Sequence, residues 1–176
     1  MGKAILISIK PEWVEKILNG EKTVEIRKTF PNCKMPIDVY IYCTKSNKYH
    51  LDWGYNDITR EKRWFCWDKK THHYPFSCYE AEFGEKFPES YSGKIIAKFT
   101  LQYGLLFDKY DKWLIEEKAK LTADEFYNYK KNKKQLYGWK INNLKLLEES
   151  KELSEFGLKR PPQSWQYVEV DECTTV

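Results

Sequence analysis

The first 28 residues leave the chain little freedom. Ile5, Ile7 and Ile9 alternate with Leu6, Ser8 and Lys10, the period of a β-strand, so residues 4–10 are expected to turn an isoleucine face toward a core. Ser8 and Lys10 then share the opposite face. Pro11 suits the first turn of a helix, Trp13, Val14, Ile17 and Leu18 recur at helical spacing, and Gly20 supplies a stop, which predicts a short helix over about 11–19. A second strand follows in TVEIRK, where Val24 and Ile26 point one way while Thr23, Glu25 and Arg27 point the other. The chain must therefore double back early and carry a grouped polar face as it does so.

Later segments repeat the strand signal. In PIDVYIYCT, Ile37, Val39, Ile41 and Cys43 alternate with polar or aromatic residues, and GKIIAKFTL at 93–101 places Ile95, Ala97 and Phe99 on one face. Thr122 and Glu125 make a capping box, with Leu121 and Phe126 as its hydrophobic staple, so a helix is expected there. YGWKINNLKLL at 137–147 resumes strand character. The Pro161-Pro162 turn leads into an alternating strand from Trp165 to Val170. Residues 45–92 differ from all of this, being aromatic, charged and loop-rich, and read as an insertion. With no repeats and no low-complexity linker, residues 1–176 are expected to form a single α+β domain, a small mixed β-barrel with one early helix and one later helical segment.

Composition narrows the function classes. At 176 residues the chain fits one domain, and 41% hydrophobic residues are enough for a full core. A formal net charge of +4 permits a nucleic-acid partner without demanding one. Aromatic residues are more telling, because seven Trp, thirteen Tyr and nine Phe give 16%, roughly double an average chain. Some of these rings are expected on a concave or stacking surface. The opening apolar run is too short for a signal peptide or a membrane span, so no membrane association is expected. Five cysteines (Cys33, Cys43, Cys66, Cys78, Cys173) are odd in number and form no CxxC pair, which suits reduced thiols in a cytoplasmic protein. Cys66, His72, His73 and Cys78 are zinc-ligating types, but the CxxC and HxxxH spacings of zinc modules are absent. A hairpin with buried thiols is expected instead, with no metal and no cofactor.

Three groups of residues carry candidate chemistry. Lys10, Lys22, Glu25 and Arg27 come from neighbouring elements that the helix folds together, with Ser8 beside Lys10. Lys and Arg offer donors to phosphate, while Glu accepts from a base amino group. The same charges would also make an ordinary surface ion-pair cluster, worth about 0–1 kcal/mol per pair. Trp13 is either core or part of that site, and Trp165 with Tyr167 share one face of the last strand, where they either stack a base or pack beneath the sheet. Lys130, Lys131, Lys133, Lys134 and Lys140, interleaved with Tyr127, Tyr129, Tyr137 and Trp139, suit a single-stranded nucleic-acid track or simply a solvated helix end. The insertion at 45–92 offers a different role, a protein-interaction surface built on Tyr49, Trp53, Tyr55, Trp64, Phe65 and Trp67.

The order LISIKPEWVEKILNGEKTVEIRK, DVYIYCT, GKIIAKFTL, YGWKINNLKLL and LKRPPQSWQYV resembles the ASCH domain family of the PUA-like superfamily, particularly the small versions of bacteria and phages. The most specific part joins Lys10-Pro11, Gly20-Glu21-Lys22 and Glu25-x-Arg27 in order; the resemblance fails across 45–92. It implies a β-barrel with a cleft beside the first helix, in a family predicted to bind RNA or nucleotides. It also implies an alternative, since some small ASCH-like bacterial proteins are acetylcytidine amidohydrolases that use a lysine and a threonine in the stretch corresponding to KTVE. Lys22 matches that lysine, whereas the threonine position holds Glu25. Thr23 stands off that position and, by strand alternation, is expected on the same face as Glu25. An amide hydrolase would then use Lys22 as base, with Glu25 activating water.

Overall fold

The computed structural model describes residues 2–55, 60–70, 91–107 and 112–170. Strand β1 (Gly2–Ile9) leads into helix α1 (Pro11–Leu18), β2 (Val24–Arg27) and β3 (Ile37–Cys43). A hairpin of β4 (Tyr49–Tyr55) and β5 (Lys62–Asp68) follows, then β6 (Ile95–Leu101), β7 (Gly104–Phe107), α2 (Lys112–Lys118) and α3 (Ala123–Lys130). The chain ends with β8 (Leu136–Lys140), β9 (Asn142–Lys151), a 3-10 turn at Leu153–Phe156 and β10 (Trp165–Val170). The fold is mixed α+β.

β1 sits second in a five-stranded sheet of order β10-β1-β3-β6-β9, parallel to β3 and antiparallel to β10. That position pairs both of its edges, and apolar clusters on either side of the sheet cover both of its faces. Ile5, Ile7 and Ile9 enter the main core with Val39, Ile41, Phe99 and Trp139, as the alternation requires. Ala4 and Leu6 on the other face join Tyr40, Tyr42, Ile95 and Val168 in a second apolar cluster. A three-stranded antiparallel sheet, β2-β8-β7, packs Val24, Ile26, Leu136 and Phe107 against Ile115 of α2 and Phe126 of α3. The ladders form three separate sheets and do not join into one closed ring of strands among the described residues.

Two stretches depart from the sequence expectation. The expected strand over 137–147 is two strands that belong to different sheets. The corner is Ile141, whose N–H donates to Thr23 O at 3.0 Å as the chain crosses from the β2 sheet to β6. The stretch 45–92, read as loop-rich, contains the β4–β5 hairpin with continuous register from Tyr49 opposite Asp68 to Tyr55 opposite Lys62. Trp64, Phe65 and Trp67 are buried rather than displayed, and of the aromatics expected at the surface Tyr55 is the most exposed. Asn19, just past α1, docks the hairpin: its Nδ2 donates to Trp64 O and its Oδ1 accepts from Trp64 N, both at 2.9 Å. Among the described residues, no helix is long and apolar enough to cross a membrane.

Candidate functional site

A cleft of about 680 Å³ opens at the seam between the two larger sheets. Its floor is made by the polar face of β2. The outward alternation of Glu25 and Arg27 brings their side chains together, and Lys22, placed by the turn after Gly20, joins them from the side. Lys22 Nζ lies 3.3 Å from Glu25 Oε2, and Arg27 Nη2 lies 3.1 Å from Glu25 Oε1. Relative exposures of 2%, 6% and 8% for Lys22, Glu25 and Arg27 make this a buried triad, not a surface cluster.

Each cation has a further anchor. Lys22 Nζ donates to Ala119 O at 2.6 Å, just beyond the C-terminal end of α2, where helix carbonyls favour positive charge. Burial nevertheless pushes the Lys22 ammonium below its ordinary pKa range, with Glu25 acting in the opposite direction. Arg27 Nη2 donates to Ser8 O at 2.7 Å, tying β2 to β1 across the seam. Both protein contacts of Arg27 use Nη2. Among the described residues Nη1 has no partner, and Nε is buried without one. Both oxygens of Glu25 face cations, and the free donors of the triad lie on Arg27.

Of the residues singled out from sequence, Ser8, Lys10, Trp13, Lys22, Glu25 and Arg27 all line this cleft. Ser8 is held by its Oγ donating to Pro162 O at 2.7 Å, and Lys10 stands at the solvent edge, 3.9 Å from Glu12. Trp13 takes both roles left open for it: half-buried, it packs on the main core and also lines the cleft, with Lys22 Nζ 5.2 Å from its ring centroid. Trp165 and Tyr167 lie elsewhere. They stand opposite Ile7 and Ile5 in the β1–β10 ladder, so they share the core face of the sheet; Trp165 rests on Trp139 at 5.5 Å and donates to Thr29 Oγ1 at 2.9 Å.

Thr23 does not line the cleft, and its Oγ1 is buried without a partner among the described residues. Lys131, Lys133 and Lys134 are exposed on the turn after α3, next to Lys130. Lys140 sits at the far end of β8 opposite Val24, away from them.

The facing wall was not legible as part of the site. Glu125, Asn128 and Tyr129 from α3, Leu121 just before it, and the loop Pro161–Ser164 close the cleft opposite β2. The capping box gave the helix but not its orientation. Thr122 and Glu125 do form that box, Thr122 N donating to Glu125 Oε2 at 2.8 Å. His72, His73 and Cys78 fall outside the described residues. Cys66 hydrogen-bonds Glu15, burial raises its thiol pKa, and among the described residues no cluster of three or more His, Cys, Asp or Glu could hold a metal.

A small α+β fold with a cationic cleft between β1, β2 and two later segments defines the class. No protein-family model and no curated protein matches the chain. Solved structures do: ASCH from Zymomonas mobilis superposes with a TM-score of 0.60 at 16% identity, over 98% of this chain and 90% of that one. A tyrosine-to-phenylalanine mutant of that protein gives 0.59 at 15% identity, covering 98% and 93% of the two chains. A serine-to-alanine mutant gives 0.59 at 16%, covering 98% and 91%. The chain has the ASCH fold.

Proposed function

We propose that the chain binds a nucleotide, free or within single-stranded RNA, in the cleft between α1, β2 and α3. The observation that carries this reading is the Arg27 guanidinium, buried, positioned by Ser8 O and Glu25, and with Nη1 left free in a cleft of nucleotide size. A positioned guanidinium with unused donors is suited to a phosphate or a base carbonyl. Trp13 and Tyr129 supply flat apolar surface for a base. Glu25 positions the cations, so base reading falls to the uncharged edge groups Asn128 and Gln163. The exposed lysines after α3 begin two residues from Tyr129 and would follow a phosphodiester strand leaving the cleft. In this reading the two larger sheets are the walls of the expected small mixed barrel, with the cleft at its open seam. The resemblance to ASCH proteins supports the same ligand class.

The test is binding of mononucleotides and short single-stranded RNA followed by Trp fluorescence and calorimetry. Arg27→Ala is expected to weaken binding by about 1–3 kcal/mol, the range for hydrogen bonds to a charged group. Equal affinity in wild type and a folded Arg27→Ala variant removes the cleft from consideration.

A second reading, hydrolysis of acylated cytidine, has one observation in its favour: burial lowers the pKa of Lys22, the direction a general base needs. Against it stand the anchoring of Lys22 on Ala119 O and the absence of Thr23 from the cleft lining. Acetylcytidine turnover that is lost in Lys22→Ala while substrate binding persists would establish this activity instead.

A further inference from the structure

One wall of the cleft is built differently from the rest. The β2 floor is locked by the triad and by the Arg27–Ser8 bond, whereas the wall of Glu125, Asn128 and Tyr129 of α3, with Leu121 just before the helix, is held by Phe126 and by the partly buried Leu121 and Tyr129. Within the helix itself only Phe126 is buried. Both ends of this segment are bounded by non-glycine residues with positive φ. Lys120, between α2 and α3, has φ 54°, and Lys131, the residue that ends α3, has φ 48° with ψ −123°. These are conformations that a Cβ disfavours, at a cost of order 1–3 kcal/mol each. Lys131 lies at the second position of a tight turn closed by Lys133 N donating to Lys130 O at 3.0 Å, where glycine is the ordinary occupant.

The segment before the first of these points is fixed. Thr23 N donates to Lys118 O at 2.9 Å and Lys22 Nζ donates to Ala119 O, so the end of α2 is clamped to the residues leading into β2. Beyond Lys131, the ladder of β8 with β2 fixes the chain again from Tyr137 to Lys140. Leu121 N also donates to Ile115 O at 3.3 Å, a long bond spanning Lys120 that an outward turn of the helix must break. Clamped backbone, strained residue, lightly anchored helix, strained residue and clamped backbone therefore follow in order.

We propose that α3 is a hinged wall that turns about Phe126 between Lys120 and Lys131 and so sets access to the cleft. The motion does not depend on which ligand the cleft takes; its role as a gate rests on the nucleotide reading above. Tyr129 is the residue it moves most usefully, because that ring faces the cleft and is itself covered by Lys28, whose Nζ is 4.8 Å from the ring centroid. Swinging α3 outward separates the Tyr129 side of the cleft from Trp13 and Arg27 without breaking the triad.

Relaxation-dispersion NMR on the isotopically labelled full chain, without ligand, tests the hinge. Amides of 120–131 are expected to share one exchange process on the microsecond-to-millisecond scale typical of hinge motions, while those of β2 and β8 stay flat. Lys120→Gly and Lys131→Gly, which relax the hinge points, are each expected to change that shared rate by roughly threefold or more, a change that simple fraying of a helix end does not require. Flat profiles across 120–131, or a process of the same rate throughout β2, β8 and α3, overturn the proposal. Adding a mixture of the four ribonucleoside monophosphates addresses the gate separately. Loss of the exchange in wild type but not in Arg27→Ala supports gating; persistence of the exchange in both overturns the gate while the hinge stands.

Discussion

β1 and β2 are equally sealed from water and are built from opposite materials. From Ala4 to Ile9 the first strand buries hydrocarbon on both faces, with Ser8 the one polar side chain. From Val24 to Arg27 the second buries Val24 and Ile26 on one face and two charges on the other, to which Lys22 adds a third. The first arrangement stabilises the fold directly, at about 25 cal/mol per Å² of apolar surface removed from water. The second does not, because the desolvation of buried charges offsets most of their attraction. Two charges on the strand and a third beside it, kept where apolar residues would serve stability as well, are what the proposed role of the cleft in binding a ligand would account for.

The sharpest way to break this comparison is to unbalance the triad. Glu25→Ala leaves the Lys22 ammonium and the Arg27 guanidinium buried side by side without their shared acceptor, and should cost about 3–5 kcal/mol of stability. Replacing all three with apolar residues of similar volume should instead be neutral or stabilising by about 1–4 kcal/mol, and should abolish binding in the cleft. Urea unfolding of the two variants decides the matter. If both are destabilised to the same degree, the triad is a structural element, and the functional argument from its burial fails.

How much of this was legible in sequence follows the same division. Strands β1, β2, β3, β6 and β10 and helix α1 could be read because their apolar residues repeat at a single period. The two strands of the β4–β5 hairpin could not be placed, although a hairpin was expected around Cys66. Both of its faces are partly covered, so Leu51, Trp53, Trp64, Phe65 and Trp67 show no clean alternation, and interspersed charges such as Asp52 and Arg63 imitate a loop. β7, Gly-Leu-Leu-Phe, is an unbroken apolar run with no alternation to read, and α2 at seven residues spans just under two helical turns. In the site, Lys22, Glu25 and Arg27 were grouped by local geometry alone. The wall opposite them comes from about a hundred residues further along, and no local rule aims Tyr129 at Arg27. Trp165 and Tyr167 show the converse, because the alternation put them on one face but only the pairing with β1 decided that this face is the core.

The hairpin offers a smaller test, at a contact that sequence did not suggest. Asn19 holds Trp64 by two backbone hydrogen bonds that mimic a strand pairing, and Arg63 reaches Glu21 at 2.6 Å at the surface. Asn19→Ala should cost about 1–3 kcal/mol, since Trp64 N and O lose their partners in a partly buried place. Arg63→Ala should cost less than about 1 kcal/mol, as an exposed pair. Thermal unfolding of the two single variants orders them, and an Arg63 effect equal to that of Asn19 would reverse the account of how the hairpin docks on α1.

Strain gives a prediction of the opposite sign. Lys131→Gly removes a Cβ from a residue at φ 48°, and relief of that conformation should outweigh the greater freedom of glycine in the unfolded chain, stabilising the protein by about 1 kcal/mol. Lys133→Gly, at a residue of the same basic turn that does not have a positive φ, should be neutral or destabilising. Two variants that shift the urea midpoint in the same direction would show that the turn is not strained.

Asp52 completes the comparison, because it is a buried carboxylate handled in a third way. It is 3% exposed on β4, accepts only from Trp53 N at 2.8 Å, and among the described residues has no cation within ion-pair distance. Burial pushes its pKa up to about 6 from an ordinary 3.8, the N–H of Trp53 acting weakly against it. A carboxyl whose folded pKa is raised binds its proton more tightly in the folded chain. Its favourable contribution is therefore fully present below pH 3.8 and is lost as pH rises through about 6. Stability should fall across that window by about 3 kcal/mol from this group alone, against the rise that paired carboxylates produce. Asp52→Asn, which keeps the shape and cannot ionise, should flatten that part of the profile and leave the variant more stable than wild type at pH 7. The difference in unfolding free energy between the two proteins, measured from pH 4 to pH 7, reads the Asp52 titration directly; a difference that does not change with pH would mean that the hairpin opens enough to hydrate Asp52, and that only the triad buries its charge.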